Sequence, residues 1–162
     1  MKLNFLSLLN AALATDLIVI SLALAGYLSG KALTLWYKKF GLGAVIADVL
    51  ILVLGFIISY YIYRYFFKTD NLLLFMGIVI IVQLIHDALF ALFVNNYKGK
   101  SEILNVFKMY IKEISYRILL VDAMMLISTV LLEKVFSSMN QTTNIITLIV
   151  LVYITPYLLF SI

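Results

Sequence analysis

Five apolar stretches separated by short polar connectors organise the chain. They run from about Leu6 to Leu28, Leu42 to Phe67, Leu72 to Val94, Ile118 to Leu132 and Asn144 to Ile162. About 20 apolar residues in a helix cross the hydrocarbon core of a bilayer. The pattern therefore predicts an all-α fold, an integral membrane bundle of five transmembrane helices forming one domain over residues 1–162. The fourth stretch reaches spanning length only if Val135 and Phe136 are included. The first lacks a convincing small-x-small cleavage site and reads as a retained helix, not a signal peptide.

Two connectors carry patterns of their own. Between Ser29 and Gly41, the residues Leu33, Trp36, Tyr37 and Phe40 recur at i, i+3, i+4, i+7. Between Asn95 and Arg117, one helical face carries Ile103, Leu104, Phe107, Tyr110, Ile111 and Ile114, and the other carries Glu102, Asn105, Lys108 and Lys112. Both predict amphipathic helices lying along the membrane interface. The turn Lys68-Thr69-Asp70-Asn71 is so short that the apolar stretches on either side of it must be antiparallel neighbours. Just before it, Tyr60, Tyr61, Tyr63 and Tyr65 with Arg64 form the aromatic belt expected where a helix leaves the bilayer. Pro156 falls in the last two turns of the fifth stretch, where it bends the helix or frees a carbonyl. Asn140-Gln141-Thr142 matches a glycosylation acceptor, whose use a short loop against the membrane disfavours.

Composition strengthens the membrane reading: 65% of the 162 residues are hydrophobic and 12% are charged, unlike a soluble globular chain. The absence of cysteine excludes disulfides and thiolate metal sites. Eight of the twelve bases (Lys31, Lys38, Lys39, Lys98, Lys100, Lys108, Lys112 and Arg117) lie in the two amphipathic connectors, against Glu102 and Glu113. The positive-inside rule puts both connectors on the cytoplasmic side, the N-terminus outside and the C-terminus inside. The expected partners are the lipid bilayer, with anionic headgroups at the basic connectors, and protons or cations; nothing implies nucleic acid. Self-association into a homo-oligomer stays open.

Candidate chemistry resides in the acids. Asp16, Asp48, Asp87 and Asp122 lie one in each of the first four apolar stretches, and none of the twelve bases lies at similar depth. A buried ion pair is therefore not the explanation for most of them. They are neutral, share protons or hydrogen bonds, or bind a cation. Asp16 reads as the deepest and Asp87 as intermediate, where the plainer alternative is an interhelical hydrogen bond. Asp48 and Asp122 fall within two turns of the cytoplasmic interface, where the plainer alternative is contact with headgroup water or a helix cap. The only histidine, His86, adjoins Asp87, and Gln83 is placed to neighbour both. Asp16, Asp48, Gln83, His86, Asp87 and Asp122 are thus the candidate polar pathway. Whether they form a metal site is open, since His86 must then meet Asp48 or Asp122, and oxygen ligands would favour Mg²⁺, Mn²⁺ or Ca²⁺. No motif assigns a cofactor or a catalytic residue.

Setting Asp48 over Asp122 also aligns Trp36-Tyr37-Lys38-Lys39-Phe40 with Tyr110-Ile111-Lys112-Glu113-Ile114 and, after a gap upstream, matches Asp16 with Asp87. Each half, 6–67 and 72–136, reads as span, interfacial helix, span, so the expectation is a tandem parallel repeat followed by a C-terminal helix over 144–162.

The run Gly99-Lys100-Ser101-Glu102-Ile103-Leu104-Asn105-Val106-Phe107-Lys108, with Leu119-Leu120-Val121-Asp122-Ala123 and Tyr153-Ile154-Thr155-Pro156-Tyr157, resembles uncharacterised polytopic membrane proteins encoded by large DNA viruses of algae and protists. That resemblance implies a home in a virion or host membrane and brings no activity. The residues support three functions: a proton- or cation-handling channel or transporter, a structural or assembly protein of a viral or host membrane, and a metal-dependent lipid-active membrane enzyme.

Overall fold

The computed structural model describes residues 3–28, 30–114 and 116–162, without the side chains at 113, 114 and 116–118. Ser29 and the side chains of Glu113, Ile114, Arg117 and Ile118, all used in the sequence reading, lie outside what is described. Seven helices appear among the described residues: α1 (Phe5–Leu24), α2 (Lys31–Phe40), α3 (Leu42–Phe66), α4 (Leu72–Asn96), α5 (Glu102–Ile114), α6 (Tyr116–Ser137) and α7 (Gln141–Leu159). No strand is present among them.

Local chemistry sets the boundaries. Asn4 caps α1 by accepting from the Leu6 and Ser7 N–H groups. The first apolar stretch was expected to continue to Leu28, but the helix stops at Leu24. Gly26 adopts φ 78, and the Tyr27 and Leu28 N–H groups fold back onto the Leu22 carbonyl. This left-handed glycine closure ends the helix even though the following residues stay apolar. Asn71 and Asn140 cap α4 and α7, accepting from Leu74 N and Thr143 N. The second cap occupies the side chain of the one candidate glycosylation acceptor. In the α3–α4 turn, the Tyr63 hydroxyl donates to the Thr69 carbonyl and accepts from Asn71 N at 2.7 Å. Phe75 packs edge-on against both Phe56 and Tyr63, so the two helices form the expected antiparallel hairpin.

Helix α1 is the packing centre. It contacts α3, α6 and α7, while α4 packs against α3 and α6. Leu8, Ala12, Leu17 and Ile20 of α1 meet Val49, Leu52 and Phe56 of α3, Val79 of α4, and Leu126 and Val130 of α6 in one core. The outer surface is apolar as well: Ile46, Leu50, Leu54 and Ile58 recur every fourth residue on α3, and each is at least 43% exposed. Such a continuous apolar exterior fits lipid and not water. Helices α1, α3, α4 and α7 are each long and apolar enough to cross a membrane. Helix α6 is longer than its apolar stretch, extending past Leu132 to Ser137.

The amphipathic connectors pack on each other. Trp36 of α2 lies 4.9 Å from Phe107 of α5, ring centroid to centroid, and Lys39 pairs with Glu102 at 3.2 Å. They therefore lie at one end of the bundle. On α2 the buried face is Ala32, Leu33, Trp36 and Tyr37. Among the described side chains of α5 the deepest is Val106, which the sequence reading did not assign to the apolar face, whereas Ile103 is 46% exposed.

Candidate functional site

Helices α1 and α4 end, and α3 and α6 begin, at the α2–α5 end of the bundle. Asp16 and Asp87 lie eight and nine residues before the ends of α1 and α4, and Asp48 and Asp122 lie six residues after the starts of α3 and α6. At 1.5 Å per residue, all four stand about 9–14 Å from that end. Counted along their helices from that end, Asp16 and Asp87 differ by one residue, because Gly26 stops α1 at Leu24. Asp16 is nonetheless the most enclosed of the four, with no exposed surface.

Tyr37 joins the first two acids. Its hydroxyl oxygen is 2.9 Å from Asp16 Oδ1 and 3.1 Å from Asp48 Oδ2. Trp36 Nε1 donates to the same Asp48 oxygen at 2.9 Å. One turn of α2 thus supplies both partners, and the apolar periodicity that turns Trp36 and Tyr37 inward also delivers their polar ends to the acids. Burial, followed by the neighbouring Asp48 and Asp16 charges, pushes the Tyr37 pKa far above that of an ordinary tyrosine, so the hydroxyl keeps its hydrogen. That single hydrogen satisfies one carboxylate at a time. The second short contact is a hydrogen bond only when its carboxyl carries a hydrogen of its own.

The second pair is built differently. Gln83 Nε2 donates to Asp87 Oδ1 at 2.6 Å, and His86 Nδ1 lies 3.2 Å from the same oxygen. The local Gln83–His86–Asp87 network expected from helical spacing is therefore present. Asp87 Oδ2 is buried without a partner, as is Asp16 Oδ2. The His86 ring stacks on Phe90 at 5.9 Å. Asp122 stands within electrostatic range of Asp87 and Asp48.

These groups meet at a cavity of about 1450 Å³ between α1, α3, α4 and α6 and the α2–α5 pair. Asp48, Gln83, His86, Asp87 and Asp122 line it, while Asp16 lies behind Tyr37. No lysine or arginine lines it among the described residues. Nor do three His, Cys, Asp or Glu side chains come close enough to hold a metal ion among the described residues.

Other polar contacts along α1 join helices without reaching the cavity. Asn10 Nδ2 donates to Asn144 Oδ1 and to its carbonyl at 3.0 and 2.9 Å, tying α1 to α7. Thr129 of α6 donates to Thr15 at 3.1 Å. Glu133 was read as the polar end of the fourth stretch, but it is 3% exposed and its Oε1 has no partner. A sequence signal existed, since Glu133 follows Leu126, Thr129 and Val130 on the buried face at helical spacing. No family model, curated protein or solved structure matches the chain.

Proposed function

We propose that the protein is a proton- or cation-handling membrane transporter or channel whose polar path runs through Asp16, Asp48, Gln83, His86, Asp87 and Asp122. The observation that carries this reading is the convergence of three acids, from three helices, on one cavity with no described lysine or arginine on its walls, and a fourth, Asp16, joined to Asp48 through Tyr37. Intramembrane acids facing a cavity are the usual signature of an ion path. The Asp16–Tyr37–Asp48 bridge adds a place where a proton can be held between two carboxyls.

Under this reading α6 is a fifth span. Its 22 residues cover about 33 Å and it packs between α1 and α4, although Asp122, Glu133 and Lys134 keep it more polar than the other four. The tandem repeat is supported by the neighbour relations. Exchanging α1, α2, α3 for α4, α5, α6 turns the α1–α6 contact into α4–α3, α1–α3 into α4–α6 and α2–α3 into α5–α6, and each of these is present. The basic α2–α5 end then faces the cytoplasm and its anionic lipid, with the N-terminus outside. A virion or host membrane as its location rests on the sequence resemblance.

Reconstitution into liposomes tests the function. Wild-type protein is expected to dissipate an imposed proton or cation gradient, and Asp16→Asn and Asp87→Asn to abolish that flux with helix content unchanged by circular dichroism. Absence of wild-type flux, or flux unchanged in both variants, would overturn it.

A second reading, a structural or assembly protein, is favoured by the Asn10–Asn144 and Thr15–Thr129 contacts, which fasten helices without lining the cavity. It predicts that the aspartate substitutions change thermal stability or oligomeric state and that no gradient is dissipated by any form. The metal-dependent enzyme reading has no donor set in the described geometry to support it.

A further inference from the structure

We infer that the cavity binds a lipophilic organic cation, one with a methylated or delocalised positive charge on an apolar body. This deepens the reading of the site as one that handles cations and rests on it. Volume is the first argument. At about 1450 Å³ the space exceeds the several hundred cubic ångströms of a typical small-molecule pocket, and far exceeds what a bare or hydrated metal ion needs. The walls are the second. Trp36, Phe90, Phe107 and Tyr110 present aromatic rings and Leu33, Leu52 and Met125 add apolar surface, while Asp48, Asp87 and Asp122 supply carboxyl groups.

Each alternative occupant conflicts with one of these facts. An anion meets three acids and no described lysine or arginine. A neutral apolar molecule leaves the three lining carboxyls without a partner of opposite charge. A tightly coordinated metal ion needs several ligands at close range, and no three His, Cys, Asp or Glu side chains converge among the described residues. A quaternary ammonium or phosphonium centre needs no converging donors. It is held by carboxylate charge at a distance and by the faces of aromatic rings. A free lipophilic cation and the choline headgroup of a lipid share this chemistry.

The single tryptophan of the chain, Trp36, lines the cavity and reports its occupancy without a label. Purified full-length protein in maltoside detergent is titrated with tetraphenylphosphonium, and in parallel with tetraphenylborate, an anion of nearly the same shape. The expected result is a saturable change in Trp36 fluorescence with the phosphonium and none with the borate, and at least a tenfold loss of affinity in the Asp87→Asn/Asp122→Asn double variant. Ala47→Phe narrows the cavity beside Asp48 and leaves the acids in place, so it should weaken binding and keeps the test decisive if the double variant misfolds. No saturable signal, an equal response to the borate, or full affinity in both variants would overturn the inference. Repeating the titration in phosphatidylcholine nanodiscs separates the sources. A tenfold weaker apparent affinity than in detergent supports the class with a lipid headgroup as occupant, and an unchanged affinity supports it with a free cation. Proton flux that depends on the aspartates, together with no phosphonium binding, removes the ligand class and leaves the polar path. Phosphonium binding without proton flux does the reverse.

Discussion

Tyr37 donates toward Asp16 at 2.9 Å across 21 residues of sequence, from a helix too short to cross the membrane into the helix at the centre of the bundle. The contact is the only hydrogen bond to Asp16 in the structure's described residues, and Asp16 Oδ2 already has none. Tyr37→Phe therefore leaves a fully enclosed carboxyl without any partner. Losing a partner from a buried polar group costs about 1–3 kcal/mol. A matching fall in unfolding free energy in detergent is expected, along with reduced flux. A variant as stable as wild type would show that the bridge contributes nothing.

The same residue gives a pH prediction. The folded state raises the Tyr37 pKa through burial and the nearby acids, so above the unfolded value of about 10 the unfolded chain releases this proton while the folded chain retains it. The stabilising contribution is complete below about pH 10 and declines as pH rises beyond it. The ultraviolet difference between wild type and Tyr37→Phe should contain no tyrosinate band up to pH 11 while the protein is folded. A band with a midpoint near 10 would place Tyr37 in contact with water.

Asn10 and Asn144 fasten α1 to α7, and Asn144 Nδ2 also donates to the Phe136 carbonyl at 2.8 Å, holding the α6–α7 turn. Interhelical polar contacts in membranes contribute about 0.6–2 kcal/mol. Asn10→Leu should lower the unfolding temperature without altering flux or phosphonium binding, because the contact lies away from the cavity. An altered transport rate at unchanged stability would assign Asn10 to the path.

The absence of cysteine makes the α2–α5 contact testable by cross-linking. With Lys39 and Glu102 paired at 3.2 Å, a Lys39→Cys/Glu102→Cys double variant should be joined by a short bis-maleimide into an internally linked monomer. Labelling of both cysteines without cross-linking would separate the two interfacial helices.

Gly55 lets α3 approach its neighbours. A Cβ there would stand 3.3 Å from Leu126 Cδ1 and 3.8 Å from Gln83 Oε1. The leucine methyl can shift by a few tenths of an ångström, so Gly55→Ala should be close to neutral in thermal stability. Gly55→Leu has no such room and should cost roughly 1–3 kcal/mol through overpacking. Equal melting of the leucine variant and wild type would mean that the interface is looser than described.

The apolar stretches and their periodicity determined the class of fold, the seven helices to within a few residues, and the identity of the four acids set within apolar stretches. These follow from local physics: helix length against bilayer thickness, capping asparagines at 4, 71 and 140, and the pattern that turns Trp36 and Tyr37 inward. Two boundaries failed because a local rule competed with the apolar pattern. Gly26 stopped α1 inside an apolar run, and the buried face of α6 carried Glu133 past the point where charge appeared to end it. The sequence also left the acids as separate members of separate helices. Only packing decided that α2 folds against α5, that Tyr37 sits between Asp16 and Asp48, and that Asp48, Asp87 and Asp122 face one cavity. Which sides of packed helices meet depends on side-chain fit among residues far apart in the chain, and no local period encodes it.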